Sequence, residues 1–269
     1  MSAILALDNV SLGYGQRTIL KDISLTVAQG EVVALMGGSG SGKTTLLRAA
    51  TGQLKARSGS IKLFGQEVNS FDNKSLREAR QRMGVLFQQG ALFTDLNVFE
   101  NVAFPLREHL SLPNEQLQQT VLDKLAAVGL RAAAHLKVSE ISGGMARRVA
   151  LARAIVMNPE LILYDEPFAG LDPIAVGVTA RLIRHLSTTL HCGSLIITHD
   201  VAETFEIADQ VYLIGQGAIK AKGTPAELRD AVDPYVEQFL RGLPDGPVKF
   251  DYPLSAEFEA WLVKHTGCS

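Results

Sequence analysis

The segment Gly37-Gly38-Ser39-Gly40-Ser41-Gly42-Lys43-Thr44 fits G-x-x-x-x-G-K-[ST], a glycine-rich turn between a strand and a helix. Glycines let successive backbone N–H groups turn inward around phosphate oxygens, and the positive end of the following helix dipole points at the same place. Lys43 adds a full charge able to bridge β- and γ-phosphate oxygens, and the Thr44 hydroxyl suits Mg²⁺. Thr45 follows at the helix start and is counted with the phosphate-binding residues. A chain of ordinary composition and this length contains the pattern by chance on the order of 0.01 times. A merely flexible turn is therefore a poor alternative.

Two acids, Asp165 and Glu166, stand directly after the apolar run Leu161-Ile162-Leu163-Tyr164. A buried strand delivers its carboxyl end to a site crevice, so adjacent acids there have a use. Asp165 suits a direct or indirect partner of Mg²⁺, and Glu166, turned the other way, suits the group that polarises an attacking water. Solvation of the strand's exit is the alternative for an isolated pair, and the phosphate loop in the same chain weighs against it. A third segment, Ile141-Ser142-Gly143-Gly144-Met145, precedes a helical stretch. Ser142 can cap that helix, and Gly143 and Gly144 admit a phosphate close to backbone N–H groups. Alone, Ser-Gly-Gly reads as a loop ending.

The elements that must position these residues are legible in outline. Apolar runs at 4–7, 23–27, 32–36 and 61–64, punctuated by turn residues, predict strands, with a helix over 44–52 closed by Gly52. Leu117, Val121, Leu122, Leu125 and Val128 recur at helical spacing, and 145–157 is a second helical stretch. Runs at 161–164, 195–198 and 211–214 then alternate with helical segments, the arrangement of a parallel sheet covered on both faces. Beyond Leu243, Pro244, Pro247 and Pro253 mark a tail, in which Ser255 can cap a short amphipathic helix carrying Phe258, Trp261 and Leu262.

Taken in order, the phosphate loop, Ser142-Gly143-Gly144, Asp165-Glu166 and His199 resemble the ATPase domain of ABC transporters over residues 1 to about 240. The resemblance implies an α/β fold: a P-loop NTPase (RecA-like) core with a mainly parallel sheet, an N-terminal antiparallel β subdomain and an inserted α-helical subdomain. It implies an ATPase domain at 1–243, with the helical part at about 95–158, and a tail at 244–269. ATP and Mg²⁺ are the implied cofactors. Gln88, after Phe87, matches the glutamine that senses Mg²⁺ and water and faces the membrane partner; Asp172 matches the loop acid that crosses between subunits. His199 matches the histidine that contacts the γ-phosphate, so Glu166, His199, Lys43 and Gln88 form the implied catalytic set, with Thr44, Gln88 and Asp165 around the metal. Tyr14 matches the aromatic that stacks on adenine, a contact worth about 1–3 kcal/mol; a strand-edge tyrosine is the competing reading.

The resemblance also implies a head-to-tail dimer in which the Ser142–Gly144 signature of one copy completes the phosphate loop of the other. Met145 stands where glutamine is usual, and the stretches 87–102 and Ala169-Gly170-Leu171-Asp172 are distinctive. Together these are similar to the ATPase subunits of Mce-type lipid transporters, most closely those of the Mla phospholipid system of Gram-negative bacteria. Implied partners are a second copy, two permease subunits, a STAS-domain regulator and a periplasmic Mce-domain lipid-binding subunit, with the ATPase peripheral on the cytoplasmic face of the inner membrane. Leu92, Phe93, Leu96 and Phe99 are candidates for a groove receiving the permease, with core packing an equal alternative. Phe250, Tyr252, Phe258 and Trp261 call for burial of the tail, for which the second copy is favoured over the chain's own domain or another subunit.

Composition excludes several other classes. Lys and Arg total 26 against 28 Asp and Glu, a net charge of −2, so no positive excess is available for nucleic acid phosphates. Cys192 and Cys268, far apart in 269 residues, read as reduced free thiols. The first ten residues lack a basic region and carry Asp8, unlike a secretory signal. Nowhere do about 18 consecutive apolar residues occur, so a membrane role needs a partner. A soluble ABC protein acting on ribosomes or DNA fits poorly, lacking heptads or a second phosphate loop; a transporter of another cargo is opposed only by the Mla-like segments.

Overall fold

In the computed structural model, which describes residues 3–249 and 255–266, β1 (Ala3–Tyr14) and β2 (Arg17–Ala28) pair antiparallel. On β2, Ile23, Leu25 and Val27 are buried while Ser24 and Thr26 are exposed, the two-residue period of a sheet with one face on a core. The register shifts where Asn9 (φ 48°) and Asp22 (φ 52°) adopt left-handed backbone, which short polar residues tolerate and which bulges a strand. These bulges let both strands run for 12 residues, well beyond the apolar runs expected at 4–7 and 23–27.

The chain continues through β3 (Val32–Met36), α1 (Lys43–Ala50), β4 (Ser58–Leu63), β5 (Gln66–Glu67), α2 (Asn73–Gln81) and β6 (Met83–Leu86). Three helices follow, α3 (Val98–His109), α4 (Asn114–Ala127) and α5 (Gly143–Ile155), with α3 packed on the other two. Next come β7 (Leu161–Asp165), α6 (Pro173–Leu190), β8 (Gly193–Thr198), α7 (Val201–Ile207), β9 (Gln210–Gly215), β10 (Ala218–Gly223) and α8 (Pro225–Arg229). Four strands form the antiparallel sheet, in the order β2-β1-β4-β5. Six form the second sheet, β10-β9-β3-β8-β7-β6, parallel from β9 to β6 and antiparallel only at the β10 edge.

Every residue of β3 and β8 is buried, as expected of parallel strands covered on both faces. Leu5, Leu12, Ile23 and Leu25 of the first sheet share one core with Leu35, Leu195 and Ile197 of the second. Burying each such side chain contributes about 1.5–3 kcal/mol. This core fixes the neighbouring carboxyl ends of β3, β8 and β7, which carry Gly37, His199 and Asp165-Glu166. Open α/β sheets bind ligands at that end.

The described residues from 229 onward form a second compact unit. There α9 (Pro234–Arg241) is capped by Asp233, which accepts from Tyr235 and Val236 N–H, and the Gln238 amide exchanges two 2.8 Å hydrogen bonds with the Val248 backbone. In α10 (Ala256–Thr266), Ser255 Oγ accepts from Phe258 N–H at 3.1 Å, the expected cap. Phe258, Trp261 and His265 stack along one side, with ring centroids 6.2 and 4.8 Å apart. Phe250, Tyr252 and Cys268 lie outside the described residues.

Candidate functional site

The phosphate loop begins where β3 ends, and its glycines answer to different constraints. A Cβ at Gly37 would overlap the Ile214 carbonyl oxygen, so this glycine is required by the neighbouring strand. Gly42 has φ 101° and a Cβ there would overlap Leu20, a conformation only glycine adopts freely. Gly42 opens α1 without a side-chain cap, and the first turn holds no acid. The N–H groups of that turn are left for an anion.

Around the loop lies a cavity of about 640 Å³ lined by Gly38 to Thr45, Ile19, Gln88, Asp165, Glu166 and His199. Lys43 Nζ donates to the carbonyls of Gly37 at 2.7 Å and Gly38 at 3.1 Å, and stands 3.8 Å from Glu166 Oε1. Burial lowers the Lys43 pKa, while Glu166 and Asp165 oppose the fall. Burial raises the Asp165 pKa, Glu166 adds to the rise, and Lys43 opposes it. Glu166 sits just past β7 with φ 47°, its N–H held by the Ile197 carbonyl at 2.7 Å. Strained backbone of this kind costs about 1–3 kcal/mol and persists where surrounding structure demands it. It sets Oε2 3.0 Å from Nδ1 of His199, whose side chain is 60% exposed.

The cavity fits a nucleotide's phosphates and a hard cation. Ser41 Oγ is buried in the loop without a hydrogen-bond partner, and Gly38 and Gly40 have open space where a Cβ would stand. Burial and the neighbouring Glu166 both disfavour the charged form of Asp165, an environment that a divalent cation relieves. Thr44, Gln88 and Asp165 offer the oxygens that Mg²⁺ prefers. Among the described residues Glu166, His199 and Asp200 also bring ligand atoms within 4.8 Å of one another, but an imidazole suits softer metals.

Not every expected residue lines this cavity. Tyr14, 43% exposed at the end of β1, accepts a hydrogen bond from Arg48 Nη1 at 3.2 Å and is not among the lining residues. Ser142, Gly143, Gly144 and Asp172 are also outside it. They meet one another instead: Ser142 caps α5 by accepting from Met145 N–H at 3.2 Å, and Asp172 caps α6 by accepting from Ile174 and Ala175 N–H at 3.0 Å each. A Cβ on Gly144 would lie 3.2 Å from Ala175 Cβ, so the two helix starts adjoin. Ser142, Gly143 and Asp172 are exposed, as is Ile174.

A groove of about 340 Å³ runs between β6 and the helices, lined by Met83, Phe87, Phe93, Phe104, Arg153 and Met157 among others. Phe93 is 39% exposed and its ring centroid is 4.6 Å from that of Phe104. Of the four residues expected at such a groove only Phe93 lines it; Leu92, Leu96 and Phe99 are half-buried and do not. Three polar residues that the sequence reading did not single out hold this region. Asn101, fully buried on α3, accepts from Phe93 N–H at 2.8 Å and donates to its carbonyl at 3.0 Å. Arg153 donates to the carbonyls of Gly90 and Ala91, and Arg147 to those of Phe87 and Ala169. The only local signal for the two arginines was their place in a largely apolar helix that also carries Arg148, and Asn101 had none.

Residues 20–169 match the ABC transporter family profile. The chain is 50% identical over 250 residues to the intermembrane phospholipid transport system ATP-binding protein MlaF of Haemophilus influenzae, covering 93% of this chain and 95% of that one. The solved structure of cbiO1 from Clostridium perfringens, part of the ABC transporter complex cbiONQ, superposes with a TM-score of 0.81 at 29% identity, covering 90% of this chain and 96% of the other. The dimeric ATP-binding cassette MJ0796, in a post-hydrolysis state bound to ADP and Pi, superposes at 0.74 with 28% identity over 82% of this chain and 98% of its own. With its phosphate loop, strand-end acids and two-sheet α/β core, the chain belongs to the ABC transporter family, as one of its ATP-hydrolysing cassettes.

Proposed function

We propose that the chain is the ATPase subunit of an inner-membrane complex that moves phospholipid between the inner and outer membranes and so maintains outer-membrane lipid asymmetry. The observation that carries the ATPase reading is the convergence of Lys43, Asp165, Glu166 and His199 on one phosphate cradle. The cargo reading is supported by 50% identity to a phospholipid-transport relative over 93% of this chain.

In this reading Lys43 exchanges its bonds to the Gly37 and Gly38 carbonyls for β- and γ-phosphate oxygens, a charge-assisted contact of roughly twice the ordinary strength. Thr44, Gln88 and Asp165 hold Mg²⁺, which neutralises charge on the phosphates when bound. Glu166, fixed between Lys43 and His199, accepts a proton from the attacking water, and His199 turns its exposed ring toward the γ-phosphate. Ser142, Gly143, Gly144 and Asp172 serve the cradle of a second copy, since none of them lines its own cavity and Ser142, Gly143 and Asp172 face solvent. ATP shared between two chains closes them, and hydrolysis removes the shared ligand.

No helix among the described residues is long and apolar enough to cross a membrane, so permease subunits hold the ATPase at the cytoplasmic face, with the Phe87–Phe93–Phe104 groove as their seat. A STAS-domain regulator and a periplasmic Mce-domain subunit complete the complex, Tyr14 stacks on adenine, and α10 docks on the second copy. Glu166→Gln should lower hydrolysis by about 10²–10⁴-fold while ATP binding and the dimer persist. Hydrolysis at the parental rate would remove Glu166 from its role. Reconstitution of the parental complex between labelled vesicles should give ATP-dependent phospholipid transfer, and transfer of another cargo alone would overturn the lipid assignment.

A further inference from the structure

Three segments outside the phosphate loop carry assigned residues: the loop after β6 with Gln88, the loop after β7 with Asp172, and the Ser142–Gly144 start of α5. One side chain joins them. Arg147, a turn into α5, is 8% exposed; its Nη1 donates to the Phe87 carbonyl and its Nη2 to the Ala169 carbonyl, both at 3.0 Å. Phe87 adjoins Gln88, and Ala169 lies three residues before Asp172. Burial lowers the Arg147 pKa with no carboxylate opposing it, so the guanidinium is balanced by main-chain carbonyls. Arg153, on the same helix, bonds Gly90 and Ala91 within a single loop and thus anchors that loop without linking it to another.

We propose that Arg147 is a positioning residue that makes the Gln88 loop, the Asp172 loop and the Ser142–Gly144 helix start move as one body. A shift of Gln88 in one cavity is thereby transmitted to the half-site offered to the other copy. The proposal rests on the site reading above. Its physical basis is the planar fork of arginine, which reaches two carbonyls on separate loops at once. Moving one loop without the other would leave a buried, charged donor unpaired, which is strongly unfavourable. An ammonium or an amide at this position cannot keep both bonds in the same geometry.

The test uses Arg147→Lys and Arg147→Gln in the full chain, with Arg82→Lys as a matched control. Arg82 makes a forked pair with Glu160 at the opposite strand ends, and its guanidinium bonds reach none of the three loops. Both Arg147 variants should show kcat about tenfold lower with ATP affinity unchanged, and Arg82→Lys should turn over as the parent does. Hydrogen exchange in the Glu166→Gln background should show ATP protecting segments 87–90 and 169–172 together. Arg147→Lys should uncouple them, keeping phosphate-loop protection and losing that of 169–172. Parental kcat in Arg147→Lys, or unchanged joint protection, overturns the proposal. Should neither variant fold, ATP titration of the Glu166→Gln chain decides: the two segments must gain protection at the same ATP concentration, and independent gains refute the link. A parental hydrolysis rate in Glu166→Gln would instead mark failure of the site reading.

Discussion

The phosphate cradle and the Ser142–Asp172 face are both built from helix N-termini, but only the cradle withholds its caps. α1 opens on Gly42 with no side-chain cap, Ser41 Oγ is left without a partner, and Lys43, Asp165 and Glu166 are packed behind it with two pKa values displaced by burial. α5 and α6 instead satisfy their own first turns through Ser142 and Asp172, both in exposed positions and outside the cavity. A helix end becomes a reaction site when its donors are left open and buried charge is supplied around them. A capped, exposed end is a stable presenting surface, which in this account acts on the cradle of a second chain.

This contrast can be broken by substitution. The largest effect is expected at Gly37, where a Cβ meets backbone of β9 that cannot yield. Gly37→Ala should lose about 3 kcal/mol or more in urea unfolding, in the manner of a severely overpacked site. Gly143→Ala, with open space around its added Cβ, should stay within about 0.5 kcal/mol of the parent and lower hydrolysis instead. Equal destabilisation by the two would erase the distinction between cradle and face.

Asp172→Ala should cost about 1 kcal/mol through loss of the α6 cap, seen as a melting temperature about 2–4 °C lower. Nucleotide affinity measured on the isolated chain should not change, because Asp172 lies outside the cavity; a weaker affinity would place the acid in its own copy's site. The smallest effect concerns Asp165, whose folded-state pKa is raised from 3.8, chiefly by burial. A carboxyl shifted upward destabilises the fold when ionised, so its penalty is present above the folded pKa and vanishes as pH falls below the unfolded value. Asp165→Asn should therefore melt slightly higher than the parent at neutral pH, with the gap closing toward pH 4, while Mg²⁺-dependent hydrolysis falls. A lower melting temperature at neutral pH would mean that attraction to Lys43 outweighs burial.

The cradle was legible in the sequence because its chemistry is local: eight consecutive residues supply the turn, the charge and the helix start. The acids at 165 and 166 were legible because an apolar strand precedes them, although the φ of 47° at Glu166 was not. Strand order and the pairing of β3 with β8 and β9 depend on partners far along the chain and have no local signal. β6 escaped detection because four residues including Gly84 make a weak strand pattern; a Cβ there would overlap the Ala154 carbonyl, a tertiary reason for the glycine. Asn101 and Arg147 were invisible for the same cause, since their value lies in main-chain groups of other loops, up to 60 residues distant for Arg147. For Tyr14, type and place suggest a ring for adenine, whereas the bond its hydroxyl accepts from Arg48 had no local signal.

The central claim is that each cradle is finished by the other copy's Ser142–Asp172 face, and mixing two disabled chains tests it most directly. Lys43→Ala removes the cradle charge and leaves the face intact; Gly143→Asp places an acid on the face and leaves the cradle intact. Each variant alone should be inactive. In a head-to-tail pair one of the two sites would then combine an intact cradle with an intact face, so ATP hydrolysis measured on the mixture should reappear well above the sum of the separate chains. A mixture no more active than its components would contradict the account and return the signature to its own chain's site.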